Sequence, residues 1–476
     1  MSQVKTIFKN MSWVLISQII ASLLGFIWTI LIGRYLGVSD YGIMGFATSL
    51  LAVLGITLDF GINTYSIRQI SVETDSTAKY LGHIISLKIL FAISSFILLL
   101  LILLLMKCDE ITILVTTLFF TVNFIQTVTG SLNGGFQAFQ KVKYQALSNI
   151  LVNILLLILI LITIYTDKGI IGISISYIIA NAIGLIYSYY SFNKHITKPK
   201  FGFNKSFAKK LIISGLPFAI TGIFSSIYYS IDVVMLANLV GNYATGLYNA
   251  TYKLITVFTL FYTAYTSVIY PIMSKLYKNN QKLLTISYEK SIKYLMLIMI
   301  PLSVAITYYS SDIIQLFFGQ EYAAASPILS ILIWTVCILF INTVGNILLN
   351  ASHKEFAVTK IYAIAAAFNI IMNFILIPSF SYIGAAITTV LSDMLIFIIQ
   401  KYILHKIGHK PNKKLYYDGG KIIIASAILG FALYYLNLNM WVALPVGIVI
   451  YFVVIIALKF FDDDDKYIIK DIVGKH

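Results

Sequence analysis

The chain has 476 residues, of which 59% are hydrophobic and 11% charged, and it carries a formal net charge of +15. A soluble chain devotes about 25% of its residues to charge, so this composition excludes an ordinary soluble domain, and no stretch between the apolar runs is long enough to hold one. The positive charge lies in short segments between those runs, which argues against a nucleic-acid partner. The two cysteines, Cys108 and Cys337, form no CxxC pair and allow at most one bridge.

Fourteen apolar stretches each reach the roughly 20 residues a bilayer-spanning helix needs. They predict helices at about 11–32, 41–67, 80–106, 111–136, 142–164, 169–192, 208–236, 243–271, 288–310, 323–349, 356–378, 382–404, 417–436 and 440–459. The first follows Lys5 and Lys9 but ends in Gly33-Arg34-Tyr35 with no small-residue cleavage site, so it reads as a retained helix. With the N-terminus inside, 29 of the 34 Lys and Arg residues fall on the cytoplasmic side. Arg34, Lys107 and Lys168 fall outside, and Lys88 and Lys253 lie within helices. That asymmetry is the positive-inside pattern. It places a multi-pass protein in the cell (cytoplasmic) membrane with both termini cytoplasmic. The basic clusters Lys194 to Lys210, Lys275 to Lys293 and Lys401 to Lys421 then face anionic membrane lipid.

Ionisable residues inside a membrane are costly and mark functional candidates. In chain order, Arg34 is an outer-rim cation at the end of helix 1. Asp59-Phe60-Gly61 interrupts helix 2, and Asp59 and Arg68 there, with His83 and Lys88 of helix 3, form a candidate inner binding rim, with Asp59 also a candidate for coupling or gating. Asp232, near the outer end of helix 7, is a candidate gate, a cation site or an ion-pair partner of Lys253. Lys253 lies on a polar face of helix 8 with Asn249 and Thr256. It reads as a cation facing an anionic substrate group, or else as a lysine reaching for the surface. Asp393, near the middle of helix 12, is a candidate for coupling to a proton or sodium ion, or a structural hydrogen-bonding group. Pro217 and Pro301 predict kinks in helices 7 and 9. The 33 tyrosines read mainly as interfacial belts, with a minority available to stack on sugar rings. The run Asp462 to Asp465 reads as a solvated tail.

The chain also repeats. The segment from Leu31, LIGRYLGVSDYGIMGFA, is similar to MLANLVGNYATGLYNAT from Met235, pairing Gly37 with Gly241 and Gly42 with Gly246 at an offset of 204. Lys141 pairs with Lys354 at 213, and Gly172 with Gly384 at 212. Six helices per repeat give two lobes of the same orientation, a transporter architecture. The predicted organisation is an N-lobe (1–192), a basic cytoplasmic linker (193–207), a C-lobe (208–405) and a segment with helices 13 and 14 and the tail (406–476). No GxSxG, HExxH, Walker A or clustered acidic metal motif is present. The reading is therefore of a transporter and not an enzyme, with no cofactor and no metal. A membrane enzyme of polysaccharide assembly is the rival from another class, and would need the large outer loop this sequence lacks.

These residues resemble the Wzx-type polysaccharide flippases of the multidrug/oligosaccharidyl-lipid/polysaccharide (MOP) exporter superfamily. The resemblance rests on Gly33-Arg34-Tyr35-Leu36-Gly37, Asp40-Tyr41-Gly42, Asp59-Phe60-Gly61 and Arg68. It continues in Asp232-Val233-Val234-Met235-Leu236, Gly241, Gly246-Leu247-Tyr248, Ala250, Lys253-Leu254 and Gly384-Ala385-Ala386-Ile387. It implies an all-α, two-lobed, V-shaped bundle around a cationic cavity. It also implies movement of a polyprenyl-diphosphate-linked oligosaccharide to the outer leaflet by alternating access, with polysaccharide assembly proteins as partners. Lys253, Arg34, Lys88 and Arg68 would carry the cavity charge. Few arginines are available for such a cavity, which sets the chain apart from peptidoglycan-precursor flippases. An ion-coupled multidrug or metabolite exporter of the same superfamily is the nearest alternative.

Overall fold

The computed structural model describes residues 3–462 and Asp465. Among these residues every regular element is helical. The helices are α1 (Gln3–Asp59), α2 (Ile62–Val72), α3 (Thr77–Leu105), α4 (Glu110–Ala138), α5 (Val142–Tyr165), α6 (Gly169–His195), α7 (Lys205–Leu239) and α8 (Asn242–Thr256). They continue with α9 (Thr259–Asn279), α10 (Gln281–Tyr308), α11 (Ser310–Phe318), α12 (Ser326–Ala351), α13 (Glu355–Lys406), α14 (Lys413–Leu436) and α15 (Met440–Ala457). Eleven are long and apolar enough to cross a membrane, and α8 with α9 makes a twelfth if that bent pair is one span.

Two of these spans, in α1 and α13, run to 51 and 52 residues, more than twice the length a bilayer requires. Each contains one non-helical residue, Gly37 (φ 71°) and Ser381 (φ 51°), where the sequence reading divides it in two. Gly37 and its repeat partner Gly241 (φ 119°) both have positive φ. Glycine reaches that region without a Cβ clash, which suits it to both positions.

α3 shows why these helices suit lipid. Ile93, Ile97, Leu101 and Leu104 recur at helical spacing and are all more than half exposed, while Lys88, Ser95, Leu99 and Leu103 are buried. An apolar stripe turned outward with polar groups turned inward is the reverse of a soluble helix, and follows when the solvent is hydrocarbon.

By packing, the chain forms two compact units, Met1–Lys253 with Asn369–Ala385, and Leu254–Phe368 with Ala386–His476. In the first, Ile62, Leu81, Ile84, Leu132, Phe136, Phe192 and Leu211 form one buried cluster. The basic segment after α6 is tied to that unit, because Lys200 N donates to Ala78 O over 2.8 Å. A Cβ on Gly82 would lie 1.8 Å from Lys200 O.

In the second unit the acidic tail departs from the expectation of a solvated run. Asp465 is buried and paired with Lys293 at 2.6 Å and with Lys290. Asp462 pairs with Lys414 at 2.6 Å and Lys290 at 3.2 Å. Lys293 also meets Asp418 at 3.0 Å. The basic ends of α10 and α14 supply the counter-charges, which a local reading of the run could not see. Asp463 and Asp464 lie outside the described residues.

Candidate functional site

The first polar cluster forms where the helical chain breaks. Phe60 and Gly61 have positive φ, which ends α1 and starts α2 afresh. The break leaves the first amides of α2 without helical partners, and Asp59 Oδ2 accepts from Asn63 N at 3.3 Å. The other oxygen, Oδ1, lies 2.7 Å from Lys88 Nζ of α3. That ammonium also donates to Asn63 Oδ1 (2.7 Å), Ser131 Oγ (2.7 Å) and Thr127 O (3.1 Å). Lys88 is 0% exposed and Asp59 23%. The ammonium has three donors and four acceptors around it, so its charge is spent on the protein. Gly215 of α7 packs closely against the break, since a Cβ there would stand 2.4 Å from Phe60 O.

The second cluster joins α7, α8 and α13. Asp232 is buried, and accepts from Tyr248 Oη at 3.0 Å and from Asn373 Nδ2 at 2.7 Å. Asn373 Nδ2 also donates to Asn369 Oδ1 at 3.0 Å. Lys253 is half-buried on α8, one turn beyond the buried Asn249. Arg34 and Arg68 are exposed. Beside Arg34, Tyr35 Oη donates to Asp167 Oδ1 at 2.9 Å and accepts from Gly169 N at 2.8 Å, tying that end of the helix to the α5–α6 turn.

Asp393 belongs to the other unit. It is buried, and its backbone carbonyl accepts from Asn342 Nδ2 of α12 at 3.0 Å. Farther along the same two helices Gln400 Nε2 donates to Asn346 Oδ1 (2.8 Å), and Asn346 Nδ2 donates to Tyr362 Oη (3.1 Å).

Of the candidates named from sequence, the structure brings Asp59 and Lys88 together. Sequence reasoning passed over Asn63, Ser131, Tyr248, Asn369 and Asn373 as site residues. The available signal was spacing: Asn63 lies four residues after Asp59, and Asn369 and Asn373 are four apart in an apolar run, on one helical face.

Buried, hydrogen-bonded charge in a polytopic all-helical membrane protein marks functional positions. The sequence profile of the polysaccharide biosynthesis protein family matches residues 7–277, more than half of the chain, and the chain belongs to that family, a branch of the MOP superfamily. The MatE profile matches residues 217–375.

Among curated relatives, an uncharacterized membrane protein of Methanocaldococcus jannaschii is 31% identical over 240 residues, covering 49% of this chain and 47% of that protein. The capsular polysaccharide biosynthesis protein CapF of Staphylococcus aureus is 25% identical, over 84% of this chain and 99% of CapF. The probable low-salt glycan biosynthesis flippase Agl15 of Haloferax volcanii is 24% identical, over 79% of each chain. The fold is similar to that of the lipid II flippase MurJ in an inward closed conformation, with a TM-score of 0.75, 17% identity, and coverage of 92% of this chain and 97% of MurJ. It is also similar to an inward-facing MATE-family multidrug transporter, with a TM-score of 0.68, 14% identity, and coverage of 81% and 95%.

Proposed function

We propose that the protein is a flippase that carries a lipid-linked oligosaccharide, joined through a diphosphate, from the cytoplasmic to the outer leaflet for surface polysaccharide synthesis. The observation that carries this reading is the family match over residues 7–277. The physical need is plain. A charged diphosphate sugar does not cross about 30 Å of hydrocarbon unaided, whereas its lipid tail can stay in the bilayer while the head passes through protein.

Two lobes, 1–192 and 208–405, alternate around the substrate path in this proposal, with assembly proteins receiving the product. The repeat supports such a pair. Lys253, Arg34 and Arg68 supply charge for the diphosphate, and Lys88 acts through Asp59. Binding must favour one state over the other to shift the populations. In a strain lacking the native gene, Lys253→Ala is expected to lower surface glycan at least tenfold at normal membrane abundance, while Lys253→Arg restores it if charge is the need. Full glycan with Lys253→Ala would remove Lys253 from the path.

Both termini and the linker lie in the cytoplasm in this scheme, as the 29 to 3 division of basic residues supports. A cysteine at Lys198 should resist a membrane-impermeant reagent in intact cells, and labelling there would reverse the topology.

The MatE match over residues 217–375 favours one second reading, export of a drug or metabolite. Drug sensitivity on deletion, with surface glycan intact, would select it.

A further inference from the structure

Within the first unit, α1, α4, α5 and α6 line a half-open cavity of about 500 Å³. That volume lies in the range of small-molecule sites, about 300–1,000 Å³. Its walls are unusual for a membrane protein. Six amide side chains line it, from Gln126, Asn133, Gln145, Asn149, Asn153 and Asn181, and among its lining residues there is no Asp, Glu, Lys, Arg or His.

The helices aim these groups by spacing. On α4 the lining positions 126, 129, 130 and 133 fall on one face, on α5 positions 145, 149, 152, 153 and 156, and on α6 positions 177, 181 and 184. Where α5 and α6 meet, Gly184 leaves room for Val152, whose Cγ2 would stand 2.3 Å from a Cβ.

Part of the polar wall is already satisfied internally. Gln126 Nε2 donates to Asn181 Oδ1 at 3.1 Å, and Asn181 Nδ2 donates to Tyr177 O at 2.8 Å. Two buried atoms are not: Trp28 Nε1 and Asn133 Oδ1 have no hydrogen-bond partner among the described residues. One is a donor and the other an acceptor. A buried polar atom left alone is costly, and repeated amides in an apolar bundle mark a space meant for a polar occupant. Trp28 and Tyr177 add aromatic rings to the wall, edge to face with centroids 5.6 Å apart.

We propose that this cavity is a binding site for the uncharged sugar units of a glycan. A hydroxyl both donates and accepts, so sugar hydroxyls suit the six amides of the lining. Diphosphate calls for cations, which the lining lacks, and an apolar drug calls for a largely hydrophobic wall. The identity of the natural ligand rests on the flippase reading, while the binding chemistry does not. Glycan headgroup and lipid-proximal diphosphate would then be held by different parts of the protein.

The test uses the full-length protein in nanodiscs, with neutral chitotriose and maltotriose, free of lipid and phosphate, as probes and inorganic diphosphate as the charged comparison. Saturation-transfer NMR and titration should detect at least one neutral trisaccharide. Asn149→Leu, which removes a lining amide at similar size, should weaken it about tenfold, the equivalent of about 1.4 kcal/mol and one neutral hydrogen bond. Asn133→Leu should do the same, and diphosphate should not compete. Failure of both trisaccharides to bind folded protein, unchanged affinity in folded Asn149→Leu, or competition by diphosphate would each overturn the proposal. Glycan export by the wild-type protein, measured separately, reports on the flippase reading. Export without trisaccharide binding sinks the cavity site alone, and trisaccharide binding without export sinks the flippase reading alone.

Discussion

Asp59 and Lys88 show what an ionisable residue in this bundle costs and how the cost is met. Each is tolerable because the other is 2.7 Å away and hydroxyl, amide and carbonyl groups fill the remaining positions. Removing one partner leaves a buried charge alone, which typically costs about 3–5 kcal/mol, whereas removing both can be nearly neutral. Lys88→Met and Asp59→Leu should each sharply reduce the recovery of folded protein, and the double variant should recover most of it. Thermal unfolding in detergent measures this cycle, and additive losses would show that the pair is not coupled. The sequence singled out both residues, since a charge in an apolar run is conspicuous. It did not reveal Asn63 or Ser131 as their partners, because neutral polar residues are common on transmembrane helices and only their neighbours give them meaning.

At the scale of elements, the repeat explains a helix crossing. A Cβ on Gly42 would stand 1.9 Å from Asn242 O, and one on Gly246 would stand 1.9 Å from Val38 O. The two glycines paired by sequence repetition therefore face each other's helix starts reciprocally, backbone against backbone, as small residues permit in membranes. Backbone carbonyls cannot rotate aside, so Gly42→Ala and Gly246→Ala should each cost more than about 3 kcal/mol through overpacking. Gly25→Ala, whose nearest contact would be an ordinary 3.7 Å to Trp28, should be tolerated. The monodisperse fraction after detergent extraction checks the contrast, and equal yields of all three variants would refute the crossing. The repeat and its glycines were legible as text. Their reciprocal packing was not, because an offset of 204 residues says nothing about which copies touch.

At the scale of the molecule, charge holds Asp462 and Asp465 within the second unit. Lys290, Lys293, Lys414, Tyr294 and Asp418 surround Asp462 and Asp465. Burial alone would raise both carboxyls. Hydrogen bonds from Lys414 to Asp462, and from Lys290 and Lys293 to Asp465, outweigh it and hold both below the usual carboxylate range. A depressed carboxylate contributes stability that is complete above its unfolded value, about 4. That stability is lost as pH falls through the lower folded value. Thermal stability of the wild type should therefore hold from pH 7 to about 5 and decline below about 4. With Asp462→Asn and Asp465→Asn combined, that acid-side decline should shrink. An unchanged profile would mean the cluster adds nothing to stability.

The sequence by itself determined that the chain is a helical membrane protein, roughly where its apolar runs lie and which charges are out of place. Those properties depend on the run length of apolar residues and on local periodicity, both written in linear order. The tertiary structure decided what each polar group meets. It pairs Asp59 with Lys88, gives Asp232 to Tyr248 and Asn373, pulls Asp462 and Asp465 out of solvent, and turns three polar helix faces toward one cavity. Helical spacing marks a face as polar, but hydrogen bonds and ion pairs act over about 3 Å. Which faces come that close depends on how whole helices pack, not on their order in the chain.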